Sequence, residues 1–402
     1  MKAKRNTYGF ETRLIHAQNK ESKAKHALNP PIFMTSTFTF DNTEHVRKVM
    51  NFESDDYVYT RGNNPTLRDF ETKMSSLENG QGAVAFASGM AAITTTLFSL
   101  LKPGDKALYH KTLYGSSHTV LKKMLPAYGV ETEMVSLSDF DLLEVKLVEG
   151  VKVIYFETPC NPTLEVLDIK AISEMAHKFG ATVVVDNTFA TPYLQRPLDL
   201  GADVVVHSAT KYISGHGDVV AGVAISNNSD YIMTLKFDYM CEFGGVLSPF
   251  NAWLLLRGLK TLAVRMRQHE RNAVRVAQYL DQHERVEKVY YPGLDSHNGN
   301  ELAKEQMDGF GAVLAFEIKG DLNQAKKFVD SVKLAKLAVS LGDCETLIEL
   351  PAAMTHLGYD HKELENFGLS ERMIRLSVGI ENVDDIIEDL EQAFDNLDEY
   401  PR

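Results

Sequence analysis

Short apolar runs separated by helix and turn signals fill the chain from about residue 60 to residue 255. Three of them, VKVIYF at 151–156, TVVV at 182–185 and DVVV at 203–206, are rich in β-branched residues. Runs of this kind are typical of parallel strands that are covered on both faces. The pattern therefore predicts an α/β fold with a mainly parallel sheet.

Residues 83–101 carry no charged side chain, and this uncharged stretch approaches the length of a membrane-spanning helix. Ser88 and Gly89 interrupt it, and its Ala, Ser and Thr residues dilute its hydrophobicity. The stretch therefore predicts a buried strand, a tight turn and a buried helix, and it argues against a membrane span.

The pattern changes after about residue 255. A long helical stretch leads to the strand-like run GAVLAFEI at 311–318, and IRLSV at 374–378 alternates apolar and polar residues as a half-exposed strand would. Apolar residues near the end share one helical face, namely Val383, Ile386, Ile387, Leu390, Ala393, Phe394 and Leu397. We predict an irregular N-terminal arm at 1–60 that contacts a neighbouring subunit, a large domain at 61–255 and a smaller α+β domain at 256–402.

Composition and charge exclude several classes of protein. The 402 residues are 44% apolar and 24% charged, as in an ordinary globular chain of two or three domains. The net charge of −13 disfavours binding to nucleic acid or to an anionic membrane surface. The three cysteines form no CxxC pair, so we predict neither a disulfide framework nor a metal site. The N-terminus is basic but has no apolar segment, so we predict no secretory signal. We therefore expect a cytoplasmic protein.

Polar residues follow each of the three predicted strands. Glu157 follows the first strand, Asp186 and Asn187 follow the second, and His207 follows the third. Ligands of open α/β sheets bind beyond the carboxyl ends of the strands, so these converging ends predict a ligand site.

Lys211 lies close to this predicted edge of the sheet. It stands beside the hydroxyls of Ser208 and Thr210 and before the glycine-rich segment GHGD at 215–218. An amine, hydroxyls for a phosphate and the carboxyl of Asp186 for a ring nitrogen together suit pyridoxal phosphate.

Other chemical motifs are absent or incomplete. The chain has no GxxxxGK[ST] phosphate loop and no HExxH zinc helix, and GQGAVA at 80–85 precedes its strand instead of following it. Ser208-x-x-Lys211 matches the SxxK motif of serine acyl enzymes, although no SDN or KTG motif accompanies it. A serine acyl enzyme and a cofactor-free binding protein remain as alternatives from other classes.

A set of motifs runs in order along nearly the whole chain. The motifs are YTRGNNPT at 59–66, SGMAA at 88–92, ETPCNP at 157–162, DNTFATP at 186–192, HSATKY at 207–212, SLGD at 340–343 and RLSVG at 375–379. This set resembles the Cys/Met-metabolism family of pyridoxal-phosphate enzymes. The resemblance implies the type I aminotransferase-like fold, pyridoxal 5′-phosphate as cofactor and a homotetramer built from active dimers.

The resemblance also implies roles for individual residues around the cofactor. Lys211 is expected to hold the cofactor as a Schiff base and then to move protons, and Asp186 to keep the ring nitrogen protonated. Tyr114 is expected to stack on the ring and to give a proton to the departing sulfur. The expected phosphate ligands are the backbone of Gly89 and Met90, the hydroxyls of Ser208 and Thr210, and Tyr59 and Arg61 of the neighbouring subunit.

By the same resemblance, Arg375 is expected to bind the substrate carboxylate, with help from Ser340 and Asn161. Val339 stands where cystathionine γ-lyases of the animal and fungal type carry a glutamate. An apolar wall suits the methyl group of a thioether, because it leaves no charge unpaired.

Two departures concern the same pocket. Ser116 stands where methionine γ-lyases carry a cysteine, and the pair Met240-Cys241 stands where they carry Lys-Asp. The favoured prediction is a carbon–sulfur lyase that cleaves L-methionine by α,γ-elimination to methanethiol, 2-oxobutanoate and ammonia. A cystathionine γ-lyase or broad carbon–sulfur lyase is the alternative, and an O-acetylhomoserine sulfhydrylase is less favoured.

Overall fold

The computed structural model describes residues 8–17, 26–355 and 369–397. Within these residues, one sheet contains seven strands in the order β1-β7-β6-β5-β4-β2-β3. Their bounds are β1 Gly82–Phe86, β2 Lys106–His110, β3 Glu131–Val135, β4 Val151–Glu157, β5 Thr182–Asp186, β6 Val204–His207 and β7 Gly222–Ser226. Strand β7 runs antiparallel to both of its neighbours, and the other pairs are parallel. The prediction of a mainly parallel sheet is confirmed.

The three apolar runs predicted as strands form β4, β5 and β6, which lie side by side in this sheet. Their apolar residues are buried because helices cover both faces. Around this sheet the helices are Phe10–His16, Thr43–Met50, Pro65–Leu77, Gly89–Leu100, Gly115–Thr119, Leu125–Ala127, Phe140–Leu147, Ile169–Lys178, Thr191–Leu194, Ser229–Thr234, Cys241–Phe243 and Pro249–Leu259, with π-helical turns at Val120–Met124 and Leu235–Met240 and a 3₁₀ turn at Pro197–Leu200.

The uncharged stretch at 83–101 forms strand β1, a turn and the helix Gly89–Leu100, as predicted. The turn is closed by Ser88, whose side chain accepts the backbone N–H of Ala91 at 3.0 Å and so caps the helix. No helix in the described ranges combines the length and the apolar character that a membrane span requires.

A second sheet lies in the later part of the chain. Among the described residues it contains five strands in the order β10-β11-β12-β9-β8, with bounds β8 Val286–Tyr290, β9 Val313–Ile318, β10 Lys336–Leu337, β11 Leu347–Glu349 and β12 Met373–Ser377. Its helices are Leu262–Gln282, Asn300–Gln306, Leu322–Ser331 and Val383–Asp395, with a 3₁₀ turn at Pro351–Ala353. In the last helix Ile386, Leu390, Ala393 and Phe394 are buried, which confirms its predicted apolar face.

The prediction that 374–378 is a half-exposed strand is wrong. Strand β12 is buried along its whole length because it lies between β11 and β9. Its polar side chains have partners inside the protein: Ser377 Oγ, for example, accepts the backbone N–H of Gly342 at 3.0 Å. Period-two alternation here separates two buried faces, one apolar and one polar.

The described part of the N-terminal segment contacts its own chain. Trp253 Nε1 donates to the carbonyl oxygen of Pro30 at 3.2 Å, and Thr37 forms a β-bridge with Tyr59. The predicted contact with a neighbouring subunit and the domain boundaries after residues 60 and 255 stay predictions.

Candidate active site

Asp186 and Glu157 end two neighbouring strands and lie opposite each other, because they are paired in the register of β5 and β4. Asp186 Oδ1 accepts the backbone N–H and the hydroxyl of Thr188 at 2.9 and 2.5 Å, and Tyr155 Oη lies 3.5 Å from Oδ2. Within the described residues, no Lys, Arg or His nitrogen lies within 4 Å of this buried carboxylate. Asp186 is thus held by hydrogen bonds but forms no ion pair within the described residues.

Glu157 is a buried acid beside this carboxylate. Its Oε1 accepts the backbone N–H of Tyr114 at 2.8 Å. Burial, and then the charge of Asp186, raise the pKa of Glu157 well above its usual value. Burial also raises the pKa of Asp186, but the two hydrogen bonds from Thr188 oppose that rise. We therefore infer that Glu157 takes up the proton of this pair, so that Asp186 carries the negative charge.

His207 does not join these two acids, although it ends the neighbouring strand. Its Nε2 lies 2.5 Å from Glu78 Oε1, and both side chains are fully buried. Asn187 donates to the same carboxylate at 3.0 Å. Alternation along β6 and β5 places these residues in the core away from Asp186, so the expected convergence of all three strand ends is only partly correct.

The helix Gly89–Leu100 begins beside the loop that follows β6. A Cβ atom built on Gly89 would lie 2.7 Å from Ser208 Cβ and 2.8 Å from Ser208 Oγ, so this close approach requires glycine. Gly89 and Met90 open the helix, and its unpaired N–H groups and positive dipole end favour an anion there. The structure therefore brings Gly89, Met90 and Ser208 together in a geometry that suits a phosphate.

The hydroxyl of Thr210 is already engaged with the backbone. It donates to the carbonyl oxygen of Ala221 at 3.1 Å and accepts the N–H of the same residue at 3.0 Å. These bonds hold the loop that carries Lys211 against the residues before β7. The role of Thr210 as a phosphate ligand stays a prediction.

The Lys211 amine lies at the junction between the two sheets. Its Nζ donates to Ser340 Oγ at 3.0 Å. Burial, and then the neighbouring charge of Arg375, lower the pKa of Lys211 from its usual value. The amine is thus more readily deprotonated than an exposed lysine, as a base or nucleophile requires.

Arg375 on β12 is surrounded by polar partners. Its Nη1 donates to Asn161 Oδ1 at 3.0 Å, and its Nη2 donates to the carbonyl oxygen of Ser340 at 2.9 Å. Glu349 Oε1 lies 3.0 Å from Nη1 and forms a buried ion pair with it. We call Arg375, Asn161 and Ser340 the carboxylate clamp, since all three were predicted to bind the substrate carboxylate and the structure brings them together.

Tyr114, Ser116 and Val339 lie on loops or helix ends and are more accessible. Tyr114 is 40% exposed and Val339 is 60% exposed, while Ser116 is partly buried. Their roles in stacking, proton donation and selection of the substrate side chain stay predictions.

Tyr59 and Arg61 lie elsewhere on the surface. The Arg61 guanidinium lies 5.7 Å from the centre of the Tyr59 ring, and both residues line an open cavity of about 690 Å³. Cys241, one of the departures noted above, lines the same cavity and lies near Arg61, with its Sγ 3.5 Å from the Arg61 carbonyl oxygen. No contact in the described part of the chain joins Tyr59 or Arg61 to Lys211, so the prediction that they serve a neighbouring subunit is untested.

Glu349 is a functional candidate outside the quoted motifs, and Thr188 is one that lies within the motif DNTFATP but received no predicted role. Glu349 is the one charged residue in the run TLIELP at 346–351, and a lone charge in an apolar strand is a usable signal. Thr188 lies two residues after Asp186, a spacing at which a carboxylate can accept a backbone N–H.

The residues present fit pyridoxal phosphate. The glycine-dependent approach of a helix N-terminus to Ser208 suits the phosphate, and the unpaired charge of Asp186 suits a protonated ring nitrogen. Residues 11–395 match the model of the family described as "Cys/Met metabolism PLP-dependent enzyme". The chain belongs to this family. Its cofactor is therefore pyridoxal 5′-phosphate, and the predicted enzyme class is confirmed.

Relatives and solved structures agree with this membership. The chain is 46% identical to L-methionine γ-lyase of Fusobacterium nucleatum subsp. polymorphum over 97% of this chain and 99% of that protein. It is 43% identical to cystathionine γ-lyase of Dictyostelium discoideum over 97% and 98% of the two chains. The structure of cystathionine γ-synthase from Xanthomonas oryzae pv. oryzae superposes with a TM-score of 0.93 at 37% identity, over 98% of this chain and 99% of that chain. The predicted type I fold is confirmed.

Proposed function

We propose that this enzyme is a carbon–sulfur lyase that converts L-methionine and water to methanethiol, 2-oxobutanoate and ammonia. The observation that carries the proposal is that Lys211 and Arg375 contact the same residue. Ser340 accepts from Lys211 through its hydroxyl at 3.0 Å and from Arg375 through its carbonyl oxygen at 2.9 Å. A base therefore lies beside the carboxylate clamp, where the Cα hydrogen of a bound amino acid would be.

Proton removal from Cα requires a place for the electron pair that remains. Bound pyridoxal phosphate supplies this electron sink. Asp186 would hold a proton on the ring nitrogen, because its buried carboxylate forms no ion pair with another described residue. The carboxylate clamp orients the substrate, and the Lys211 amine accepts the Cα proton and later transfers protons at Cβ.

The bond from Cγ to sulfur breaks with the electron pair leaving on sulfur. Tyr114 gives its phenolic proton to this thiolate, which leaves as methanethiol. Its backbone N–H is fixed by Glu157, so the tyrosine is anchored at its main chain while its ring remains accessible. Water then releases the remaining carbon skeleton as 2-oxobutanoate and the nitrogen as ammonia.

Methionine is favoured over cystathionine because of Val339. Its apolar side chain suits a thioether methyl, whereas the charged distal arm of cystathionine would find no partner in it. Ser116 and Cys241 support the second candidate, a cystathionine γ-lyase or broad carbon–sulfur lyase, because they depart from the methionine γ-lyase pattern. An O-acetylhomoserine sulfhydrylase is the weakest of the candidates.

We further propose that the enzyme is a cytoplasmic homotetramer built from active dimers. The exposed Tyr59 and Arg61 support this assembly. Their phenol and guanidinium groups can donate hydrogen bonds to a phosphate, but within the described residues they do not contact Lys211 of their own chain. Light scattering of the purified enzyme tests the assembly, and a monomer with full activity would contradict it.

The decisive experiment measures 2-oxobutanoate release from L-methionine and L-cystathionine at equal concentration, with volatile thiol trapped in the same vessels. More product from methionine, together with methanethiol, supports the proposal. More product from cystathionine assigns the enzyme to the second candidate. Visible absorption of the purified protein separates both from a serine acyl enzyme acting through Ser208, which would be colourless.

A further inference from the structure

Glu349 and Arg375 form an ion pair inside the protein. They are Cα partners in the antiparallel pair of β11 and β12, so their side chains leave the sheet on the same face. Glu349 is 0% exposed and Arg375 is 3% exposed, and Glu349 Oε1 lies 3.0 Å from Arg375 Nη1. A buried guanidinium without a counter-charge is costly, so Glu349 compensates the charge of the carboxylate clamp while no substrate is bound.

The contacts of Arg375 leave some of its donors free. Its terminal nitrogens contact Asn161, Ser340 and Glu349, whereas its buried Nε–H has no partner among the described residues. An arginine carries five N–H donors in a rigid plane and can bind a carboxylate through two of them. Partners that fix one part of this plane therefore determine which donors a substrate carboxylate can reach.

Glu349 is itself held in place. Thr355 Oγ1 donates to Glu349 Oε1 at 2.9 Å, the same oxygen that faces Arg375. A Cβ atom on Gly115 would lie 2.5 Å from the carbonyl oxygen of Thr355, so the loop of Tyr114 packs directly against this residue. The position of Glu349 thus depends on contacts that also border the loop of the proposed acid.

We propose that Glu349 is a positioning residue that sets the orientation of Arg375, so that the enzyme binds ligands with a free α-carboxylate. The inference rests on the proposed function only in taking an α-amino acid as the substrate. Because the Glu349 charge faces the guanidinium, a ligand carboxylate gains most by reaching the donors that Glu349 leaves free. Replacing the carboxylate of the ligand by an amide should therefore remove any effect of Glu349.

The experiment is isothermal titration calorimetry of the holoenzyme with L-norleucine and with L-norleucinamide. Norleucine has a methylene group in place of the methionine sulfur, so binding is measured without elimination. Glu349→Asp keeps the charge but is one methylene shorter, so it should no longer hold Arg375 in its orientation. Loss of one charge-assisted contact between Arg375 and the norleucine carboxylate should weaken norleucine binding about tenfold. Norleucinamide binding should be unchanged. Glu349→Gln keeps the reach and removes the charge, so norleucine should bind as well as before or more tightly.

Glu317→Asp is the matched control, since Glu317 is a mostly buried acid on strand β9 of the same sheet that contacts Arg372 instead. It should leave both affinities unchanged, and the melting temperature of each variant checks its fold. An unchanged norleucine affinity in Glu349→Asp would overturn the proposal. So would equal weakening of both ligands, or a loss in Glu349→Gln as large as in Glu349→Asp. Because norleucine has no leaving group, these outcomes are independent of whether methionine is the preferred substrate.

Discussion

Two regions of the candidate active site differ in how firmly their residues are held. The site floor comprises Asp186, Glu157, Arg375 and Glu349, which end or lie within strands and are 9%, 6%, 3% and 0% exposed. The site rim comprises Tyr114 and Val339, together with Tyr59 and Arg61, which lie elsewhere on their own chain and are proposed to serve the rim of a neighbouring subunit. All four residues are exposed and lie outside the strands.

The difference separates two tasks of the enzyme. Each side chain of the floor is hydrogen-bonded inside the protein, and proton transfer and carboxylate binding need such fixed geometry. The rim residues have few contacts within the chain, so they can change without disturbing the sheets. Changes near the floor should therefore abolish the reaction, and changes at the rim should alter cofactor retention or substrate choice.

The largest effect is expected at Lys211, which lies next to the floor. Lys211→Ala should keep the fold but lower the rate of 2-oxobutanoate release by at least about 10³-fold, because it removes the amine that is proposed to transfer the Cα proton. The same change at the exposed Lys178, on the helix Ile169–Lys178, is the control and should leave the rate unchanged. Activity near that of the parent enzyme in Lys211→Ala would sink the assignment of the base.

The sequence predicted much of the floor, and the reason is physical. Parallel strands buried on both faces appear as unbroken apolar runs, so β4, β5 and β6 and the polar residues at their ends could be located without a structure. The side on which each polar residue lies was harder to predict. Asp186 and His207 end neighbouring strands but face different surroundings, since the side chains of a strand alternate between its two faces.

The second sheet shows where pattern reasoning failed. Alternation in 374–378 predicted solvent on one face, but β12 lies between two other strands and its polar face is buried. The buried Arg375 on this strand has its polar partners in distant parts of the chain, namely Glu349, Asn161 and Ser340. No local sequence pattern connects these residues to Arg375. Val339, at the rim, was identified through family resemblance and not through its physical pattern.

The second prediction concerns cofactor retention at the rim. If Arg61 reaches the phosphate in a neighbouring subunit, Arg61→Ala should raise the dissociation constant for pyridoxal phosphate by about 10- to 100-fold. This is the change expected when one charge-assisted hydrogen bond to the phosphate is lost. Equilibrium dialysis against the cofactor measures this constant. Arg271→Ala removes an exposed arginine from the helix Leu262–Gln282 and is the control. Equal constants for Arg61→Ala and this control would contradict the role.

The third prediction concerns substrate choice. Val339→Glu should shift the ratio of kcat/KM for cystathionine to that for methionine about tenfold towards cystathionine, because the new carboxylate can pair with the distal ammonium group. The exposure of residue 339 allows the charge to be introduced without burial. Val339→Gln is the matched control, since it has the same length without the charge and should give a smaller shift. If both variants shift the ratio equally, charge at the rim does not select the substrate.

The smallest predicted effect concerns the stability of the floor. Because burial raises the pKa of Glu157 in the folded enzyme, the folded state keeps a proton that the unfolded chain releases above about pH 4.3. Folding therefore becomes less favourable as the pH rises above that value, until the pKa of the folded state is reached. A glutamine at this position has no such proton to lose, and its amide oxygen can still accept the Tyr114 N–H.

The melting temperature of Glu157→Gln, measured relative to that of the parent enzyme, should consequently rise as the pH is raised from about 5 to about 8. The rise should be roughly 2 °C for each kcal/mol by which the parent enzyme loses stability through this proton. Differential scanning calorimetry across this range measures the difference. Glu388→Gln, at an exposed position of the helix Val383–Asp395, should show a difference that does not depend on pH. A pH-independent difference for Glu157→Gln as well would mean that Glu157 is ionised in the folded enzyme, and the assignment of the shared proton to Glu157 would then be wrong.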